Sequence, residues 1–265
     1  MMKRLEYRNV TMRFAEAGGC GVTATQDVSF SISDGEVVAL IGPSGCGKST
    51  LLNIGAGLYP PTSGQAFVDG ELVQGPNRHV AFMLQKDLLL PWRTVAENVM
   101  LGVEIQGRDR RECLRRAEDL LDGFQLSDFK DHYPHQLSGG MRQRVALART
   151  LAVEPSVLLL DEPFSAVDAQ TRILLQRDLA QTLERAGKTA LLITHDLLEA
   201  VVLSDRVLVM SRRPGRIIDE IAIALSHRND PLLRRRDDAI SGYVARLMQQ
   251  LEIGPPTPTE VAPPA

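Results

Sequence analysis

At about 150 residues per domain, a chain of 265 residues builds one large or two small domains. Lys and Arg total 30 against 33 Asp and Glu, a formal net charge of −3, which argues against a protein held to nucleic acid by basic excess. With 44% hydrophobic and 24% charged residues the composition is that of a globular protein, and disorder throughout is excluded.

The start, MMKRLEYRNV, leads into no apolar run of signal-peptide length, and no stretch approaches the length of a membrane-spanning helix. Leu5 to Phe14 and Val28 to Ile32 alternate apolar and polar residues with the period of half-buried strands. Cys20 lies between them; with Cys46 and Cys113 it forms an odd set without Cys-x-x-Cys spacing, so a reducing compartment is expected and a zinc site is not. Gly64 to Val73, turning at Asp69-Gly70, reads as a hairpin. These segments predict an antiparallel lobe.

Val37 to Ile41, His79 to Leu84, Val157 to Leu160 and Thr189 to Ile193 are short unbroken apolar runs interleaved with helical patterns, as in a parallel sheet covered on both faces. Arg110 to Leu121 sets Leu114, Ala117, Leu120 and Leu121 at helical spacing, and Met141 to Ala152 does the same with Met141, Val145, Ala148 and Ala152. Both fall in a strand-free insert from about residue 88 to 153. Val207 to Met210 is a further strand, followed by the turn Arg213-Pro214-Gly215. A helix is expected over Ile240 to Leu251, with Val244, Leu247, Met248 and Leu251 on one side, before a Pro-rich disordered tail from Gly254 to Ala265.

In open parallel sheets ligands bind beyond the carboxyl ends of the strands. The first apolar run enters Gly42-Pro43-Ser44-Gly45-Cys46-Gly47-Lys48-Ser49-Thr50 and then a helix-compatible LLNI, the phosphate-loop pattern in its strand–loop–helix context. Its glycines let backbone N–H groups wrap a phosphate chain, Lys48 reaches the terminal phosphates, and Ser49 offers a hydroxyl to Mg²⁺. Cys46, near a helix start, is a candidate for a reactive thiol or else a small filler residue without reactivity of note.

The third run ends in Asp161-Glu162: Asp161 suits Mg²⁺ and Glu162 suits polarising a water, the bland alternative being a solvated strand end. Gln85 and His195 follow the second and fourth runs, where either could bond a terminal phosphate or the attacking water. Ser138, Gly139 and Gly140 open the helix from Met141 as a second anion-binding start, or as a plain Ser N-cap with a flexible Gly pair.

In this order, GPSGCGKST, FMLQKD, LSGGMRQR, VLLLDEP, SAVD and LLITHD resemble the nucleotide-binding subunit of an ABC transporter over roughly residues 3 to 220. The resemblance implies a phosphate-loop NTPase α/β core of RecA-like type, mostly parallel, with an N-terminal antiparallel β lobe and a helical insert. It implies an ATPase domain over 1–220; the helical spacing and the Pro-rich stretch beyond it give a helical extension over 221–253 and a tail over 254–265. It implies ATP and Mg²⁺ as ligands, with Ser49, Gln85 and Asp161 at the metal and Glu162, Gln85 and His195 in the water-directed chemistry. Phe14 matches the residue that stacks on adenine. Ser138, Gly139 and Gly140 match the signature that closes on nucleotide held by a second copy, and Asp168 matches an aspartate that communicates across that dimer. Met141 and Val167 depart from the usual Gln and Leu at positions that do not touch phosphate.

LLLPWRTVAENV and MSRRPGRI resemble the importer ATPases of the nitrate, sulfonate, taurine and pyrimidine-precursor group. That implies transmembrane permease partners, an indirect solute-binding protein outside the membrane, and a place on the cytoplasmic face of the inner membrane. Trp92 reads equally as a sensor for the membrane partner or as a core aromatic pinning the insert. A rival within the family, a soluble switch on ribosomes or nucleic acid, is disfavoured by the single phosphate loop and the near-neutral charge. A nucleotide kinase has no use for LSGG beside Asp161-Glu162.

Overall fold

The computed structural model describes residues 2–15, 21–165 and 167–252, so Cys20 and the tail from Gly254 lie outside the described residues. In chain order the elements are β1 (Lys3–Phe14), β2 (Val22–Ser33), β3 (Val37–Ile41), α1 (Lys48–Gly55), β4 (Ser63–Val68), β5 (Glu71–Leu72), β6 (Val80–Met83), α2 (Val95–Ile105), α3 (Arg110–Gly123), α4 (Gly139–Ala152), β7 (Val157–Asp161), α5 (Ala169–Arg185), β8 (Thr189–Ile193), α6 (Leu197–Leu203), β9 (Arg206–Met210), β10 (Ile217–Ala222), α7 (Pro231–Arg234) and α8 (Ile240–Gln250).

They form two sheets. The antiparallel lobe has the order β2-β1-β4-β5, and the main sheet has the order β10-β9-β3-β8-β7-β6. In the main sheet β9, β3, β8, β7 and β6 run parallel, while β10 pairs antiparallel with β9. Every residue of β3 and β8 is buried, which is why these strands read as unbroken apolar runs instead of alternating ones.

The period-two geometry of each buried strand divides its side chains between different layers. Val38, Leu40, Leu159, Leu191 and Ile193 pack beneath the antiparallel lobe with Leu5, Tyr7 and Phe30. From the opposite face, Leu158, Leu160, Ala190 and Leu192 join the helical insert and α5, while Ala39, Ile41, Val207 and Val209 join α6 and α8. The sheet is therefore covered on both sides, and its strand ends are the places left for a ligand.

Between β6 and β7 lie only α2, α3, α4 and short 3₁₀ turns among the described residues. Thr94 and Glu97 form a reciprocal capping box at the start of α2. Buried Asn98 then donates to the carbonyls of Leu90, Arg93 and Thr94 and accepts from Leu90 N–H, which fixes the chain leading into the insert.

Some sequence expectations change. Leu114 is 42% exposed, and Cys113 takes the buried place on α3 beside Ala117 and Leu121. On α8, Leu247 is buried but Met248 is 40% exposed, so the apolar stripe is narrower than the spacing suggested. The expected boundary at 220/221 falls inside β10, which continues the main sheet to Ala222. The segment beyond β10 is clasped to the core by Arg234, a residue 3% exposed whose guanidinium donates to carbonyls at the end of α6 and after β10.

Candidate active site

β3 delivers the phosphate loop. Gly45 and Gly47 hold φ of +75° and +103°, the left-handed region open to glycine, and a Cβ on Gly47 would lie 2.5 Å from Thr25 Cγ2. Gly42 and Cys46 face inward: a Cβ on Gly42 would lie 2.9 Å from Met210 Cβ, and Cys46 is 1% exposed. Of the two readings of Cys46, burial fits the small filler residue and not the reactive thiol. Lys48 Nζ donates to the carbonyls of Gly42 (2.8 Å) and Pro43 (3.0 Å) and lies 3.8 Å from Cys46 Sγ.

The loop opens into a cleft of about 470 Å³, within the range that accommodates a small ligand. Ser44, Gly45, Gly47, Lys48, Ser49 and Thr50 form one wall, with Phe14, Glu162 and Arg213 also lining it. Phe14 meets Tyr59 edge-to-face at 6.3 Å and is 39% exposed, so its ring gives the cleft an apolar surface.

Three neighbouring strands, β8, β7 and β6, deliver polar groups close to one another. Asp161, last in β7, accepts from Ser49 Oγ at 3.2 Å. Burial, with the adjacent charge of Glu162, raises the Asp161 carboxyl above its ordinary value, opposed by the Ser49 hydrogen bond and Lys48. Glu162 Oε2 accepts from Gln85 Nε2 at 3.2 Å and lies 3.3 Å from His195 Nδ1. Gln85 follows β6 and His195 follows β8, so the order β8-β7-β6 places both beside Glu162.

Sequence reasoning missed Ser165. Its hydroxyl bonds Glu162 O at 3.0 Å and receives Gln85 Nε2 at 3.3 Å; the spacing of three residues after Glu162 was the available signal. It also missed how the Gln85 loop is held. Arg142 Nε reaches Asp87 Oδ2 at 3.1 Å, and Arg149 Nη1 reaches Leu88 O at 2.9 Å, both from α4. Trp92 is 71% exposed, so it is not a core aromatic.

Ser138, Gly139 and Gly140 do not line this cleft. Ser138 caps α4 by accepting from Met141 N–H at 3.3 Å. A Cβ on Gly140 would lie 2.2 Å from Thr171 Cγ2 of α5. Gly140→Ala is therefore expected to lower stability by about 1 kcal/mol, and Thr171→Ser, which removes that methyl, should restore it; urea unfolding of the single and double variants checks the pair. Asp168 caps α5, accepting from Gln170 N–H (3.1 Å) and Thr171 N–H (3.0 Å), and hydrogen bonding from the Thr171 side chain, together with these backbone bonds, holds its carboxyl below the usual value. It too lies outside the cleft lining.

Four residues after His195, Glu199 of α6 is 3% exposed and accepts from Gln176 Nε2 at 2.9 Å, while Gln176 Oε1 accepts from Arg235. Burial, reinforced by Asp196, pushes its carboxyl up from 4.5 to about 7. An acid raised in the fold favours its neutral form there, so its contribution is full below 4.5 and is lost as pH rises through about 7. Unfolding of the parent, compared with Glu199→Gln across that window, should show the parent losing on the order of 2 kcal/mol relative to the variant.

A parallel α/β sheet with a phosphate loop after one strand and an Asp-Glu pair after another defines a nucleoside-triphosphate-binding protein of the phosphate-loop class. Residues 25–165 match the ABC transporter family. An uncharacterised ABC transporter ATP-binding protein of Methanocaldococcus jannaschii is 44% identical over 230 residues, covering 87% of this chain and 86% of its own. The taurine import ATP-binding protein TauB of Jannaschia sp. is 46% identical over 219 residues, covering 83% and 82%. Among solved structures, the dimeric post-hydrolysis state of the ATP-binding cassette MJ0796 bound to ADP and Pi superposes with a TM-score of 0.74 at 32% identity, covering 83% of this chain and 98% of that one. The chain belongs to the ABC transporter family and is one of its ATPases.

Proposed function

We propose that this chain powers a membrane importer for a small anionic or zwitterionic solute of the sulfonate type, with taurine the first to test and nitrate or a pyrimidine precursor as alternatives in the same group. The likeness to several taurine import proteins at 44–46% identity supports the solute class. No helix among the described residues is long and apolar enough to cross a membrane, and the exposed Leu84, Leu88 and Trp92 around the Gln85 loop suit contact with permease subunits. On this reading the chain sits at the cytoplasmic face, and the solute-binding protein acts through the permease.

Two copies would work head to tail. The observation that carries this is the separation, within one chain, of Ser138, Gly139 and Gly140 from the cleft that holds the phosphate loop. A second copy can bring its signature to that cleft, and its Asp168 would lie along the same junction. The cassette proper runs over residues 3–222, with 223–252 as an appended helical cap.

The oxygen donors Ser49 and Asp161, 3.2 Å apart, suit a hard cation, and the amide oxygen of Gln85 would be the third ligand. Mg²⁺ held there would supply charge neutralisation for the β- and γ-phosphate oxygens. Glu162 accepts a proton from water as the water oxygen bonds to the γ-phosphorus; the bond to the β-phosphate oxygen breaks, giving ADP and phosphate. Gln85 and His195 orient Glu162 and the water, Lys48 leaves its loop carbonyls for the terminal phosphates, and Phe14 stacks on the base.

The reading is tested by uptake into vesicles holding this chain, its permease and the solute-binding protein. ATP-dependent accumulation of labelled taurine is expected. Accumulation of none of taurine, other sulfonates, nitrate and pyrimidine precursors would remove the solute assignment.

A further inference from the structure

We infer that Arg213 is a nucleotide-binding residue, a second cation that contacts the phosphate chain alongside Lys48. The inference rests on the nucleotide reading of the cleft. Arg213 lies outside the phosphate loop in sequence, on the turn between β9 and β10. Since β9 is the neighbour of β3 in the sheet, that turn emerges beside the loop.

The turn is built in. Gly215 N–H donates to Ala24 O, and Gly215 O accepts from Gln26 N–H, both at 2.9 Å. A Cβ on Gly215 would lie 2.0 Å from Cys46 O, so the turn and the loop are in direct contact. Arg213 Nε donates to Gly45 O at 2.9 Å, and Nη2 lies 3.2 Å from where a Gly45 Cβ would stand.

Lys48 and Arg213 are the cations lining the cleft, and Glu162 is the anion. Lys48 is engaged with its own loop, whereas the Arg213 Nη groups have no hydrogen-bond acceptor among the described residues. A guanidinium tethered by one N–H, with its remaining donors turned to a phosphate-binding cleft, is suited to a charge-assisted contact with a polyphosphate.

The experiment measures binding of ATP, ADP and pyrophosphate to the full chain by calorimetry, for the parent, Arg213→Gln and Lys48→Ala. Arg213→Gln is expected to weaken all three by about tenfold, the scale of one hydrogen bond to a charged group, with the gap narrowing at high salt. Unchanged affinities would overturn the inference, as would weakened ATP binding with pyrophosphate unaffected, which would assign Arg213 to the nucleoside. ATP binding that is absent in the parent, or untouched by Lys48→Ala, would instead fault the nucleotide reading itself. Should Arg213→Gln fail to fold, phenylglyoxal labelling of the parent decides: pyrophosphate should protect Arg213, and labelling at an equal rate with and without it would sink the assignment.

Discussion

Glu162→Gln is expected to lower ATP turnover by about 10²–10⁴-fold while leaving ATP binding intact, the scale of a lost general base. The substitution keeps the size of the side chain and an oxygen for Gln85 and His195, which lie 3.2 and 3.3 Å from Glu162 Oε2. What it removes is the capacity to accept a proton. The backbone at Glu162 has φ of +46° and its N–H donates to Ile193 O at 2.9 Å, so the residue is held by its strand neighbours independently of its charge. Steady-state phosphate release and nucleotide binding, measured on the same preparation, separate the two effects. Turnover at the parent rate would show that Glu162 is not the base. Loss of binding in parallel would show that the variant disturbs the phosphate loop.

The second large effect concerns folding. Arg234→Met is expected to cost about 3 kcal/mol and to lower the unfolding temperature by roughly 5–10 °C. Arg234 Nη1 donates to Ser204 O at 2.7 Å and to Val201 O and Val202 O at 3.3 Å, serving carbonyls that the end of α6 leaves without helical partners. Nη2 and Nε serve Leu225 O at 2.7 Å and Ser226 O at 3.0 Å. Burial lowers the guanidinium pKa, with Asp205 opposing, yet an Arg remains protonated, and its charge complements the negative end of the helix. Met fills a similar volume but leaves these buried acceptors unserved. Lys should recover only part of the loss, because its donors radiate from one point and cannot span two stretches of chain. Thermal unfolding by circular dichroism checks the series; a Met variant as stable as the parent would mean that water replaces the guanidinium at no cost.

The two effects are linked through α6. α6 begins at Asp196, which caps it directly after His195, and ends in the carbonyls that Arg234 holds. The chain past β10 therefore fastens the helix whose start carries a candidate water-directed residue. Loosening at Arg234 should be felt first as stability and only secondarily as turnover.

Much of this molecule is readable along the chain because its signals are contiguous. The phosphate loop occupies nine consecutive residues, so its strand, loop and helix start are legible without a fold. The buried strands are equally plain, since burial on both faces leaves no polar alternation. The Asp-Glu pair after β7 stands out for the same reason: carboxylates directly after four apolar residues need a partner.

The order of the strands is another matter. VVALI, VLLLD and TALLI carry nearly the same pattern, and nothing local says which lies beside which. The sheet settles that β8, β7 and β6 are consecutive, which gathers His195, Glu162 and Gln85. It settles as well that β9 borders β3, which brings Arg213 to Gly45 across 168 positions of chain. Exposure is decided at the same level: Trp92 stands in solvent and Cys46 is sealed because of what packs around them. Length and composition pointed to a globular chain of one or two domains without a membrane span, and short-range patterning located its phosphate loop. Long-range pairing, which depends on how layers bury their apolar faces, assembled the rest of the site.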